Sequence, residues 1–469
     1  MKKLALLCIL FFSTYLFGQA GHLMVGVGSI NSSMGGAATG QPLDISGAIY
    51  WNSAGISAFD QKILNLDFGL FYASPEVSSS IPPNMMQAGS PEVFGTTTDQ
   101  KGVSPLPSAA ILWGNPNSKF TYAFSIFGVS GFGVDFPEET NLPVDANGNP
   151  NPNWDSTSSN PITYPQSMNG FGHIKSNYML MQTGFTIAYQ LTDQLSIGLT
   201  PTFNYASLEI APNPTATPDM AKGYPVSNAA TATGFGGQIG LFYDSGKGFK
   251  AGVSYKTKQN LSAFKFKNTY LDGNEAPDNE FDMDFPAIMS LGLGYSNEIL
   301  DLALDYRLVN YENTNGFSKK GWVIAQSGPG AGFPTGAVKG FGWKNVYILS
   351  AGIQYKGIKK LPIRLGYTYN SNPIDKELAF FSVSAPAVIT GAVQFGFSYE
   401  INNKFKINAM YHHGMGEKTE GTLMNPTPTA YGGPWDAQSN PLGKISDTKI
   451  SYNMTTDLIM FGLSYTFLN

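Results

Sequence analysis

The sequence predicts an all-β protein, a transmembrane antiparallel β-barrel of about 14 strands. Three observations carry that prediction. Only 13% of the 469 residues are charged, against roughly 25% in ordinary soluble domains, while aromatic residues also make up 13%. After the first 20 residues no apolar run reaches the roughly 18 residues a membrane helix needs. Yet segment after segment alternates apolar and polar residues with period two, which is how a barrel strand faces lipid with every second side chain.

Taken from the N-terminus, residues 1–20 read as a secretory signal. Lys2 and Lys3 precede an almost wholly apolar stretch over 4–16, and Gly18-Gln19-Ala20 supplies small residues for cleavage. Cys8 is the only cysteine and lies in that signal, so the exported chain has no thiol for disulfide or zinc chemistry. Leu7 stands where a lipoprotein signal would place a small residue. The net charge of −5 becomes two units more negative without Lys2 and Lys3, which argues against a nucleic-acid partner. Next comes "SSMGGAATGQPLDISGAIYWNSAGIS", residues 32–57, glycine- and alanine-rich and without helical or strand period.

Strands are expected near 62–73, 106–114, 119–129, 173–191, 194–210, 232–244, 247–268, 280–297, 299–311, 344–356, 361–370, 387–401, 404–413 and 455–467. In "LDLALDYRLVNY" the residues Leu300, Leu302, Leu304, Tyr306 and Leu308 share one face, and Asp301, Ala303, Asp305, Arg307 and Val309 the other. The last strand sets Ile459, Phe461, Leu463, Tyr465 and Phe467 against Leu458 and Met460. The connections alternate as well. "NPNSK", "LTDQ", "DSGKG", "SNEI", "KGIKK" and "INNK" are tight polar turns after even-numbered strands. Long Pro-, Asn-, Gly- and Ser-rich segments such as 130–172, 211–231, 313–343 and 414–454 follow odd-numbered ones. Short periplasmic turns and long, solvated extracellular loops are the expected counterpart of a bacterial outer-membrane barrel.

Three segments resemble the FadL/TodX family of outer-membrane transporters for long-chain fatty acids and aromatic hydrocarbons. They are residues 285–317, 345–374 and 386–414, each with a polar or Pro-led lead-in, a "lG..Y" strand, a tight turn and a return strand. The N-terminal segment is similar too, with Asp44 and then Asn52, Ser53, Ala54 and Gly55 where the family carries an Asp and an Asn-Pro-Ala motif. Ser53 stands in the place of the family's proline. The resemblance implies a lumen plugged by an N-terminal hatch, here residues 21–60, inside a barrel of residues 61–469. It also implies passive uptake of hydrophobic small molecules, with lateral exit through a gap at an inward kink of strand three. In "FTYAFSIFGVSGFG", Gly128, Gly131 and Gly133 suit such a kink, since glycine marks bends in strands; a strand simply ending there fits them equally. Implied partners are a hydrophobic ligand, outer-membrane lipid and lipopolysaccharide, with the chain acting as a monomer.

The inward faces carry the site candidates. Arg307 and Arg364, with Lys404, are candidates to hold an anionic head group, because a guanidinium pairs with both carboxylate oxygens. The alternative is that they pair with Asp301, Asp305 and Glu400, or with the hatch. Leu458 and Met460 point inward on the last strand and suit an apolar pocket or contact with the plug. No metal, cofactor or catalytic residue is expected. His412 and His413 are strand neighbours facing opposite ways, His22 and His173 lie far apart in sequence, and "GPGAGFPTG" lacks the lysine of a phosphate loop. Asp145 opens a calcium-like run without the closing glutamate. A general porin, or a surface barrel acting as adhesin or hydrolase, are the competing functions.

Overall fold

A computed structural model describes residues 21–145 and 147–467; the predicted signal sequence, residues 1–20, lies outside them. Fourteen strands form one closed antiparallel wall. They are β1 (Lys62–Ile81), β2 (Val103–Trp113), β3 (Phe120–Phe136), β4 (Ile174–Gln190), β5 (Leu195–Ala211), β6 (Ala230–Asp244) and β7 (Phe249–Lys256), followed by β8 (Ala287–Ser296), β9 (Leu300–Asn310), β10 (Val346–Tyr355), β11 (Ile363–Asn370), β12 (Ile389–Glu400), β13 (Phe405–Gly416) and β14 (Lys449–Phe467). Each pairs with the next, and β14 pairs with β1 from Lys62↔Phe467 to Ser80↔Lys449, so the wall has no free end. Closure matters because backbone groups facing hydrocarbon find no water to bond.

The alternation in sequence becomes an inside and an outside. On β9, Leu302, Leu304 and Tyr306 are exposed, whereas Asp301, Ala303, Asp305 and Arg307 are buried. The same exposed band runs through Leu66, Phe68 and Leu70 on β1 and Phe120, Tyr122 and Phe124 on β3. This apolar girdle is the surface a bilayer covers.

Two predicted strands are drawn differently. The stretch 247–268 is not one strand: β7 stops at Lys256, and Phe264–Thr269 pairs instead with Glu275–Phe281 in a separate hairpin over the loop end. Phe264 and Phe266 are buried there while Lys265 and Lys267 are exposed, and lysines on an outward face do not suit lipid. Likewise β8 begins only at Ala287, because Glu280 and Phe281 belong to that hairpin. Conversely, β1 runs beyond its lipid-facing part to Ile81 and pairs with Val93–Thr98, a Ser/Thr-rich ribbon with Val77 and Val93 buried on its inner side.

The long loops, expected as solvated surface segments, fold inward over the lumen. Tyr311, Phe317, Phe341 and Trp343 pack ring against ring, and Trp322 packs on Phe380 and Phe381. Burying aromatic rings outweighs the polarity of the surrounding sequence.

Candidate functional site

Residues 21–58 fill the barrel. The hatch holds two short helices, α1 (Ser29–Ser33) and α2 (Ile45–Trp51), and a 3₁₀ turn over Ser53–Ala58. Asp44 caps α2, accepting from the Ser46 and Gly47 amides at 3.1 and 3.3 Å. Asn52 caps the 3₁₀ turn through Ala54 N at 3.1 Å and donates to Thr39 O and Leu241 O at 2.9 and 3.0 Å, so it ties hatch to hatch and hatch to wall.

Ser53 is bonded to the wall from both sides: its Oγ accepts from Thr200 at 2.9 Å and donates to Gln238 O at 3.4 Å. A proline there would make neither bond. Ala54 lies against Gly198, and Gly55 packs on Pro42 and Ala48. Ser53→Ala is therefore expected to lower barrel stability by about 1 kcal/mol, the usual net value of such bonds, read as an earlier midpoint when the folded band is heated and followed on a gel.

The hatch lies so close to the wall that inward positions are repeatedly glycine. A methyl on Gly198, Gly240, Gly252, Gly292, Gly366 or Gly396 would overlap, in turn, Ala54, Asn52, Thr39, Gly40, Gly35 or Ser33. This belt on six strands lets irregular backbone approach the sheet.

Charge completes the attachment. Asp305 and Arg307, two apart on β9, share the inner face and pair at 2.5 Å, both fully buried. Asp305 Oδ2 accepts the amides of Ala38 and Thr39, each at 2.8 Å. Arg307 donates to Gly36 O at 2.8 Å and lies 3.6 Å above the Trp51 ring. Lys256 sits 3.7 Å over the neighbouring Tyr50 ring and donates to Gln182 at 3.0 Å. Arg364 divides its donors among Ser33 of the hatch, Gln354 and Ser398 at 2.8, 2.9 and 2.7 Å. Both arginines thus turn to hatch and wall. Lys404 is exposed near the turn end, beside a cavity whose lining includes Asp44 and Glu400.

The wall is not uniform. β2 pairs with β3 only from Ser108↔Phe127 to Trp113↔Tyr122, although β2 stays paired with β1 to Val103 and β3 with β4 to Phe136. Between 103–107 and 128–134 the two strands part. Val129 is an extra residue in β3, lying between the pairs Gly128↔Met181 and Ser130↔Leu180. The bulge switches which parity faces inward, from Thr121, Ala123 and Ser125 before it to Val134 and Phe136 after it.

Above the gap, Gln100 N donates to Asp135 O at 2.9 Å. Lys101 passes over Gly133, where any side chain would collide with it, and reaches Ser176 O and Asn177 Oδ1 at 3.1 and 2.8 Å. Burial pulls the Lys101 ammonium below its ordinary pKa, with Asp99 opposing the shift. The opening is therefore a framed window.

Behind the window lies a cavity of about 290 Å³, lined by Met24 of the hatch, Phe71, Leu106, Gly131, Phe132 and Tyr178 among others. Hatch residues pair directly with β3 there: Met24 N donates to Val129 O at 3.1 Å and Gly131 N to His22 O at 3.2 Å. Leu458 and Met460 join Met410 in an apolar cluster with Met24, Phe71 and Leu106 packed against it. His22 is enclosed by Phe132 and Trp343, 4.1 and 4.4 Å between ring centres.

Lys256 follows the parity of Gly252 and Ser254 and is legible as an inward residue. Lys101, Met24 and His22 carry no periodic signal, since they come from a loop and from the irregular hatch. No group of three or more histidine, cysteine or acidic residues able to hold a metal occurs among the described residues.

Solved structures share this architecture. The Pseudomonas putida toluene transporter TodX is 16% identical with a TM-score of 0.63, over 95% of this chain and 99% of that one. A Pseudomonas aeruginosa FadL homologue is 13% identical with a TM-score of 0.66, over 96% and 100%. The Ralstonia pickettii toluene transporter TbuX is 16% identical with a TM-score of 0.58, over 94% and 99%. At such identities the likeness speaks to fold. Among curated proteins no sequence matches the chain. The family model described as outer membrane protein transport protein (OMPP1/FadL/TodX) matches residues 165–467. With well over half its length under that match, the chain belongs to the OMPP1/FadL/TodX family of outer-membrane transport channels.

Proposed function

We propose that this chain lets small apolar molecules cross the outer membrane by diffusion, through the cavity beside the hatch and sideways out between β2 and β3. The observation that supports this reading best is the cavity itself, about 290 Å³ and lined largely by apolar side chains at a break in strand pairing. An engineered apolar cavity of ~150 Å³ is large enough for benzene. A space of this size suits a compound of one or two rings, whereas a long acyl chain would protrude. Two of the similar structures, TodX and TbuX, are toluene transporters, and a third is a monoaromatic hydrocarbon channel, CymD.

A carboxylate head is less well served. Arg307 and Arg364 are engaged with the hatch, Lys404 lies near the turn end, and Lys101 gives donors to β4. The hatch argues against a general porin, and one chain supplies lumen, plug and window, so a monomer suffices. Outer-membrane lipid and lipopolysaccharide would cover the girdle and the loop end.

Filling the cavity tests the reading. Ala73 lines it, and Ala73→Trp is expected to cut uptake of labelled toluene by cells about tenfold, a loss equivalent to ~1.4 kcal/mol, while the barrel keeps its heat-shifted gel mobility. Uptake unchanged in a folded variant refutes the lateral route. A large steady conductance of the native protein in planar bilayers would favour a porin.

A further inference from the structure

Beside the main cavity lies a second, much smaller one of about 20 Å³, lined by Met24, Phe71, Leu458, Ser32, Gln394 and His412 among others. Met24 and Phe71 line both spaces. The small one has room for a single oxygen-sized group. Its walls are apolar except for three polar side chains, each more than nine-tenths buried: Ser32, Gln394 and His412.

Their hydrogen bonds are incomplete in a directed way. Gln394 Nε2 lies 3.2 Å from both Thr368 Oγ1 and His412 Nδ1. On that assignment His412 Nδ1 accepts, and its proton sits on Nε2. Gln394 Oε1 and Ser32 Oγ have no partner among the described residues. The lining thus offers an acceptor, a hydroxyl and an imidazole, and contains no charged side chain. Buried polar atoms left unpaired cost free energy that a matching group recovers.

Resting on the reading of the larger cavity as an apolar binding site, we propose that Ser32, Gln394 and His412 form a subsite for one neutral hydroxyl of an otherwise apolar ligand. A phenol or an alcohol both donates and accepts, as the lining requires. A carboxylate would be buried without a counter-ion. The hydroxyl occupies the small cavity, and the ring extends past Met24 and Phe71 into the larger one.

The test is calorimetric titration of the full-length exported protein in detergent with toluene, p-cresol and p-toluate. p-Cresol is expected to bind about tenfold more tightly than toluene, and p-toluate more weakly than either. Gln394→Leu should bring the cresol-to-toluene ratio to about one and leave toluene affinity in place; Ser32→Ala, a milder change, should lower the ratio partway. If toluene binds and p-cresol is no tighter, or the ratio survives in both variants, the subsite is wrong and the apolar reading stands. If p-cresol binds and toluene does not, the apolar reading fails while the subsite stands. If neither binds, both fall.

Discussion

Asp305→Ala is expected to give a barrel that still assembles but leaks. In the native chain one buried carboxylate neutralises Arg307 at 2.5 Å and receives the amides of Ala38 and Thr39. Its removal leaves a guanidinium buried on the Trp51 face without its counter-ion, and two hatch amides without an acceptor. Breaking a buried pair from one side costs ~3–5 kcal/mol, and here the loss falls on the attachment of the hatch, because the β8–β9–β10 ladder does not use that side chain. The hatch should therefore loosen first. Planar-bilayer recordings should pass from a nearly silent native protein to frequent open events, and protease should reach residues 21–58. Asp301→Ala is the control: Asp301 bonds to Lys356 and Gln354 of the wall, so conductance should stay at the native level. Equal leak from both variants would overturn the assignment of Asp305 as the hatch's electrostatic anchor.

Gly252→Val should have a comparable effect by a steric route. A Cβ on Gly252 would overlap Thr39 O and come within 2.7 Å of Asn52 Nδ2. Thr39 is fixed by Asp305, and Asn52 bonds the wall at Leu241. Neither neighbour is the free end of a flexible chain, so the hatch must shift as a unit. β-branched valine is itself favoured in strands, so the wall should still form. The expected outcome is a folded, heat-shifted barrel with raised conductance and a protease-sensitive hatch. Gly237→Ala serves for comparison, because a methyl there meets only Thr200 O, at 3.4 Å, and should leave the channel closed. A silent Gly252→Val channel would mean that the hatch tolerates displacement from the wall.

Much of the wall was legible because lipid imposes a simple rule: Leu302, Leu304 and Tyr306 outward, Asp305 and Arg307 inward. The fourteen strands follow from that alternation and from short turns such as "DSGKG". The rule fails where lipid is absent. Phe264, Lys265, Phe266 and Lys267 alternate as well as any barrel strand, but the outward lysines put the segment in a loop hairpin. The hatch was legible only as something irregular and small-residued. Its contacts, such as Thr39 with Asp305 or Asn52 with Leu241, join positions about 190 to 270 residues apart, and no local pattern encodes them. The window is an intermediate case. Glycines at 128, 131 and 133 mark an irregularity, but Gly133 serves as the passage for Lys101, a role set by a residue on another segment.

The pairing of His22 and Met24 with β3 also bears on how firmly the hatch terminus is seated. Where β2 and β3 part, each presents a raw sheet edge at membrane depth, and raw edges seek partners. The hatch acts there as a substitute strand: Met24 N on Val129 O, the amide of Gly131 on His22 O, and a bridge between Leu23 and Ser130. Anything that pushes the hatch terminus aside strips those groups of partners in a medium without water to replace them. Displacement therefore stores the energy of its own reversal. Unsatisfied backbone would draw a displaced terminus back onto β3, as a spring draws back a door.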